Sequence, residues 1–228
     1  MSSQRPLALV TGASRGIGAA VATALAPTHD LLLGGRDGAT LTAVAERLGA
    51  RALPWPVDLT DPGALAAATE RIDELDVLVH SAGVGLLGTV EELSADIWRR
   101  QFEVNVVAVA ELTRLLLPAL RAARGTVVCV NSGAGLNARP GWGSYAASKF
   151  ALRAFADSLR AEEPSLRVAS VHPGRVDTDM QRAVVEHEGG TYDAARYLRP
   201  GSVASAVLLA VTATADAHVT EVVVQPRG

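Results

Sequence analysis

Leu7-Ala8-Leu9-Val10-Thr11-Gly12-Ala13-Ser14-Arg15-Gly16-Ile17-Gly18 carries a short apolar run into a turn with three glycines, and an Ala-rich stretch follows. The pattern reads as a buried strand over 7–11, a sharp turn, and a helix over 18–26. Glycine lets the backbone turn tightly and come close to a bound group, while the first turn of a helix offers unpaired N–H groups and the positive end of its dipole. The turn is therefore shaped for a pyrophosphate. Its spacing (glycine, three residues, glycine, one residue, glycine) departs from the G-x-G-x-x-G dinucleotide pattern. Many strand–helix turns contain two glycines, so the motif alone leaves a nucleotide role and a structural role evenly matched.

Outward from that turn the same alternation repeats along the whole chain. Further strands are expected at 31–33, 52–57, 75–81, 126–131, 167–172 and 221–224, and helices at 39–48, 62–72, 96–120, 144–163 and 202–212. Asp61 before Pro62 is a good cap and first-turn pair for one of those helices. Strand–helix alternation predicts an α/β fold: a single Rossmann-like, doubly wound parallel sheet of about seven strands, with helices on both faces and right-handed crossovers. No linker, repeat or low-complexity segment interrupts it, so residues 1–228 read as one domain.

Apolar residues make up 49% of the chain and aromatics 4%, so Ala, Val and Leu must fill the core. That composition suits buried parallel strands under helices. A chain of 228 residues is long enough to hold its fold without a disulfide or metal. A formal charge of −3 with no long basic run excludes an electrostatic footprint for nucleic acid. Cys129 is the one cysteine, which excludes an internal disulfide and any CxxC site. His29, His172, His187 and His218 lack ligand spacing, so no metal site is expected. Gly12, Arg15 and Gly16 break up the N-terminal apolar stretch, and Asn105, Glu111 and Arg114 interrupt the apolar segment 104–120. The expectation is a soluble cytoplasmic protein with no membrane partner.

The second strand ends in Gly34-Gly35-Arg36-Asp37. An acid at such a strand end would accept the ribose hydroxyls of NAD, whereas an arginine there would pair with the 2′-phosphate of NADP. Arg36 and Arg15 can clamp a phosphate from two sides, which favours NADP(H) over NAD(H). Asp37 keeps the other reading open.

Of the 21 basic residues, one is a lysine, Lys149, and it stands four positions after Tyr145 on one face of an expected helix. A compact ammonium beside a phenol favours the phenolate and eases proton exchange by a group whose ordinary pKa is about 10, a slot that guanidinium does not fit. Ser132 closes the 126–131 strand, at the carboxyl edge where open α/β sheets build their sites. A lone serine there is usually a turn residue. With Tyr145 and Lys149 it forms a candidate catalytic set.

Thr11-Gly12-Ala13-Ser14-Arg15-Gly16-Ile17-Gly18, Asp58-Leu59, Ala82-Gly83, Asn105, Ser132, Tyr145-x-x-x-Lys149 and Pro173-Gly174 together resemble the short-chain dehydrogenase/reductase family, in its order and spacing over nearly the whole chain. The length matches the family's non-extended branch. The resemblance implies an oxidoreductase moving hydride between a nicotinamide and a small carbonyl or alcohol substrate. In it Tyr145 is the acid/base, Lys149 binds the nicotinamide ribose and tunes the phenol, Ser132 orients the substrate, and Asn105 holds a water in a relay to Lys149. It further implies that Asp58 and Leu59 meet the adenine, that Ser81, Ala82 and Gly83 line the adenosine side, and that Pro173, Gly174, Val176 and Thr178 hold the nicotinamide. Pairing of the 96–120 and 144–163 helices between subunits, in a homotetramer or homodimer, is implied in the same way. His80-Ser81 stands where the family usually has two asparagines, Asn131 precedes Ser132 where a serine is common, and Gly35 occupies the slot of the NAD-selecting acid.

The substrate is less legible. Residues 178–200 read as a lid, with Met180, His187, Gly189, Gly190, Tyr192 and Tyr197 available to a ligand, and Trp142, Leu86 and Leu87 as further walls. These suit a partly apolar carbonyl compound, and no charge clearly demands a carboxylate or a coenzyme A thioester. Two other readings remain: an NAD-linked alcohol dehydrogenase, if Asp37 faces the ribose, and a non-catalytic dinucleotide sensor, which His80 keeps open.

Overall fold

The computed structural model describes residues 5–227. Seven strands, β1 (Leu7–Thr11), β2 (Asp30–Gly35), β3 (Ala52–Pro56), β4 (Val77–His80), β5 (Thr126–Val130), β6 (Arg167–Pro173) and β7 (Glu221–Val224), form one sheet in the order β3-β2-β1-β4-β5-β6-β7. Every neighbouring pair is parallel. Alternate side chains serve opposite faces, as the strand period of two requires. Ala8 and Val10 pack on one side with α1 (Gly16–Leu25), α2 (Gly38–Leu48) and α8 (Pro200–Val211). Leu9 packs on the other with α3 (Pro62–Thr69), α5 (Ala108–Ala123) and α6 (Gly143–Glu162). Strand order reverses between β1 and β4, so the loops leaving these two strands diverge and open a crevice at the carboxyl edge.

Asp61 caps α3 as expected, accepting from the N–H groups of Gly63 and Ala64 at 3.0 Å each. Two expectations need correction. The 96–120 segment is not one helix: α4 (Ala95–Phe102) passes through a π-helical turn, Glu103–Val107, before α5. One extra residue in the turn leaves the apolar stripe nearly unbroken, so periodicity cannot reveal it. The expected helices also omit α7 (Asp179–His187), which with a 3₁₀ turn, Ala194–Arg196, lies within the 178–200 segment. Thr178 caps α7 by accepting from the Gln181 N–H, and Val184 and Val185 are buried beneath it. That cap and the acid at Asp179 were the available helix signals. No described helix is long and apolar enough to cross a membrane. Among the described residues no group of three His, Cys, Asp or Glu side chains could hold a metal ion.

Candidate active site

The crevice at the reversal point is built by close backbone approach. Gly12 has φ +67°, and a Cβ there would lie 2.9 Å from the Ala82 backbone. At Gly18 a Cβ would stand 2.2 Å from the Gly12 carbonyl oxygen, so only glycine lets α1 start against its own turn. Thr11 ties the two loops together: its Oγ1 accepts from the N–H groups of Ser81 (3.0 Å) and Ala82 (3.1 Å) and donates to the Val79 carbonyl (3.3 Å). The resulting cleft of ≈ 820 Å³ is walled by Gly12, Ser14, Arg15, Gly16, Ile17 and Gly18 from the turn. Arg36, Asp58, Leu59, Ser81, Ala82 and Gly83 complete the predicted wall. A helix start beneath a glycine cradle fits the pyrophosphate of a dinucleotide.

Asp37 is not among these lining residues. It caps α2, accepting from Ala39 N, Thr40 N and Thr40 Oγ1, and these bonds hold its carboxyl below the ordinary carboxylate range. Asp58 is likewise held low, by the Thr60 N–H and hydroxyl. Arg15 reaches Asp179 at the start of α7, 3.2 Å away and largely exposed. Arg100 of α4 and Arg182 of α7 also line this half, and their distance in sequence from any motif hid them.

A second cleft of ≈ 800 Å³ continues from the first, sharing Ile17, Gly85, Thr178 and Met180 with it. Ser132, Tyr145, Pro173, Gly174 and Val176 line this half. Ser132 follows β5 in extended conformation and caps the short turn Gly133–Gly135, accepting from Ala134 N at 3.1 Å. Its carbonyl meets Nδ1 of the buried His172 at 3.1 Å. Tyr145 and Lys149 share the buried face of α6. Burial raises the Tyr145 phenol above its ordinary pKa, and a hydrogen bond with the Ser132 side chain opposes that rise. Lys149 Nζ donates to the Val130 carbonyl at 3.0 Å and lies 5.9 Å from the centre of the Tyr145 ring. Burial lowers its pKa to about 8. The ammonium answers a main-chain carbonyl, and burial sets the direction of the phenol's shift.

Asn105 is buried in the π turn. Its Nδ2 donates to Val84 O (2.9 Å) and Ser148 Oγ (3.0 Å), and its Oδ1 accepts from Val84 N (2.9 Å). Both amide hydrogens are thus committed to protein partners. Gln101, which no motif signalled, does similar work on the same loop, accepting from Leu86 N at 2.8 Å and donating to Val84 O at 2.5 Å. Gly83 lies over this cluster: a Cβ there would sit 3.2 Å from Asn105 Oδ1 and 3.9 Å from Lys149 Nζ. The fold therefore brings Ser132 and Tyr145 into the lining of the second cleft, with Asn105 and Lys149, which line neither cleft, behind Gly83. The Cys129 thiol, pushed up to about 12 by burial, stays a neutral core group.

His80, at the end of β4, meets Thr113 Oγ1 of α5 at 2.9 Å, and that hydroxyl donates onward to Val109 O. Thr113 must therefore accept from the imidazole, which places a proton on Nε2. Burial holds the pKa at about 3, against 6.5 ordinarily. Below pH 6.5 the unfolded chain binds a proton here that the folded one refuses, so stability falls with pH, by up to about 1.4 kcal/mol per unit, and is fully retained above pH 6.5. His80→Asn should flatten the loss of unfolding free energy between pH 6.5 and 4.5 by about 2 kcal/mol relative to wild type. Urea melts across that range check this, and parallel slopes would refute it.

Of the residues expected to touch substrate, Met180, Gly190, Tyr197, Trp142 and Leu87 line the second half, whereas Leu86 faces the first. His187, Gly189 and Tyr192 line neither. Tyr192 instead donates to Asp177, and its pKa rises to about 12, chiefly through burial. Arg139, Arg175, Arg196, Glu188 and Gln225 line the substrate half without having been foreseen.

A family model described as short chain dehydrogenase matches residues 6–189. Glycine betaine reductase of Emericella nidulans is 35% identical over 97% of this chain, which spans 19% of that protein's length. Dehydrogenase/reductase SDR family member 7B of Bos taurus is 34% identical over 81% of the chain, which spans 62% of it. A short-chain dehydrogenase structure from Escherichia coli CFT073, complexed with NADPH, superposes with a TM-score of 0.89 at 28% identity, covering 98% of this chain and 97% of that one. With the glycine-built crevice and the Ser132, Tyr145 and Lys149 cluster at its inner end, these likenesses carry one conclusion: the chain belongs to the short-chain dehydrogenase/reductase family of oxidoreductases.

Proposed function

We propose that the protein is an NADP(H)-dependent carbonyl reductase, converting a small-molecule carbonyl to an alcohol with Tyr145 as its proton donor. The observation that carries this reading is the placing of Ser132 and Tyr145 in the substrate half where it joins the cofactor half, with Lys149 and Asn105 behind Gly83. When bound, the nicotinamide supplies a hydride to the carbonyl carbon. Ser132 holds the carbonyl oxygen, and Tyr145 gives that oxygen its proton, so the C=O bond takes up one hydride and one proton. Burial, which keeps the phenol protonated, suits the donor role. Lys149, at about 8, can refill it near neutral pH. Because the Asn105 side chain is fully committed, it acts as a positioning group for the 83–85 loop and α6. Any relay water would then rest on its main chain.

Preference for NADP(H) is supported by Arg36 and Arg100 in the cleft wall, by Asp37 being committed to its cap, and by Gly35 at the acid's place. Related solved structures contain NADP or NADPH. Titration of the protein with NADPH and NADH should give at least tenfold tighter binding of NADPH. Arg36→Gln should weaken NADPH about tenfold and leave NADH within twofold, as expected for one charge-assisted contact to the extra phosphate. Tighter NADH binding would transfer the protein to the NAD-linked alcohol dehydrogenases. Exposed Val107, which ends the π turn just before α5, and Phe150, on α6, support pairing of these helices in a homodimer or homotetramer.

A further inference from the structure

The substrate half has an unusual charge inventory. Its lining side chains include three arginines, Arg139, Arg175 and Arg196, against one carboxylate, Glu188, and no lysine or aspartate. A local charge of +2 in a chain of net −3 needs a reason. Arg175 is already answered: its Nη2 lies 2.5 Å from Glu188 Oε1, and its guanidinium stands 6.0 Å from the centre of the Trp142 ring. Arg139 and Arg196 form no ion pair with any carboxylate among the described residues.

Both unpaired arginines stand on fixed backbone. Arg139 opens a turn with Pro140 second and Gly141 third (φ +75°), closed by a bond from Trp142 N to Arg139 O at 3.1 Å. A second bond, from Gly88 N to Gly141 O at 2.9 Å, anchors this turn to the opposite loop. Arg196 ends the 3₁₀ turn that Asp193 caps through Ala195 N at 3.0 Å, and Tyr197, which follows it, packs against Tyr192 with ring centres 5.1 Å apart. Two loops thus place exposed arginines, without an ion-pair partner among the described residues, in the lining of the cleft that holds Ser132 and Tyr145. Their charge gives nothing to a neutral ligand, whereas a carboxylate or phosphate could take two donors from either fork.

We propose that the substrate is a carbonyl compound bearing an anionic group remote from the reacting carbon, held by Arg139 and Arg196 while Ser132 and Tyr145 hold the carbonyl. This rests on the reductase reading above. A cleft of one sign also concentrates its ligand, so the preference must weaken with salt.

The test compares 4-oxopentanoate, 5-oxohexanoate and 7-oxooctanoate with their methyl esters, following NADPH consumption. For at least one pair the acid should show about tenfold or greater kcat/KM over its ester, and 0.5 M salt should narrow that gap. Arg139→Gln and Arg196→Gln should each cut the acid's kcat/KM about tenfold and leave the ester's within twofold. Glu188→Gln, which frees Arg175, should move the ratio the other way. The same acids titrated calorimetrically into NADP-saturated Tyr145→Phe protein should bind, and bind more weakly when Arg139 or Arg196 is also neutralised. Esters turned over as well as or better than every acid, or an acid preference that survives both arginine substitutions, would overturn the inference and leave the reductase reading standing. Absence of turnover with acids and esters alike defeats the reductase reading. In that case acid binding that depends on the two arginines still supports the anion site, and no such binding overturns it.

Discussion

Tyr145→Phe should reduce carbonyl turnover by at least about a thousandfold, at the upper end of what a positioned proton donor supplies, while leaving NADPH affinity within about twofold. The substitution keeps the ring and removes one oxygen. The edge-to-face contact with Trp142, at 5.8 Å between centroids, and the stacking of Lys149 over the ring can both persist. Stability should change by no more than about 1 kcal/mol, the ordinary worth of one hydrogen bond. Any collapse in rate therefore belongs to the chemical step. Single-turnover kinetics with saturating NADPH separate the outcomes, and a variant that reduces substrate at the wild-type rate would remove Tyr145 from the mechanism.

Gly18→Ala is the second large effect, and it acts through the backbone. The added methyl would meet the Gly12 carbonyl oxygen at 2.2 Å and its carbon at 2.6 Å. Neither atom belongs to a side chain that could rotate away, so the first turn of α1 must back off from the turn that precedes it. Overpacking of this kind costs about 2 kcal/mol or more. The displaced groups are also the N–H donors of the pyrophosphate cradle, so NADPH affinity should fall by about tenfold or more together with the thermal midpoint. Fluorescence titration and thermal melts read the two losses. An unchanged midpoint and affinity would mean that the cradle does not depend on this close approach.

What could be read in advance follows the range of the forces involved. Strand–helix alternation is local, and right-handed crossovers leave few ways to order the strands, so the sheet and its crevice were legible from runs such as 7–11 and 126–131. The spacing of Tyr145 and Lys149 on one helix is equally local. The π turn around Asn105 was not, because one inserted residue barely shifts an apolar stripe. The start of α7, Asp179-Met180-Gln181-Arg182, is too polar for periodicity to flag. Gln101 and the arginines of the substrate half were illegible for a different reason: they meet the site only through tertiary folding, from segments that carry no chemical pattern of their own. The lowering of the phenol expected from the ammonium is not what the structure gives: burial raises Tyr145, and Lys149 reaches instead the carbonyl of Val130, a partner no sequence pattern names.

The scarcity of lysine has a consequence for how the protein meets its solvent. Lys149 is the one side-chain amine, and it is sealed inside, so the exterior cations of side chains are guanidinium groups apart from any protonated histidine. Guanidinium keeps its charge through the whole alkaline range accessible to a folded protein. The positive charge of the exterior is consequently constant where that of an amine-rich surface would fade.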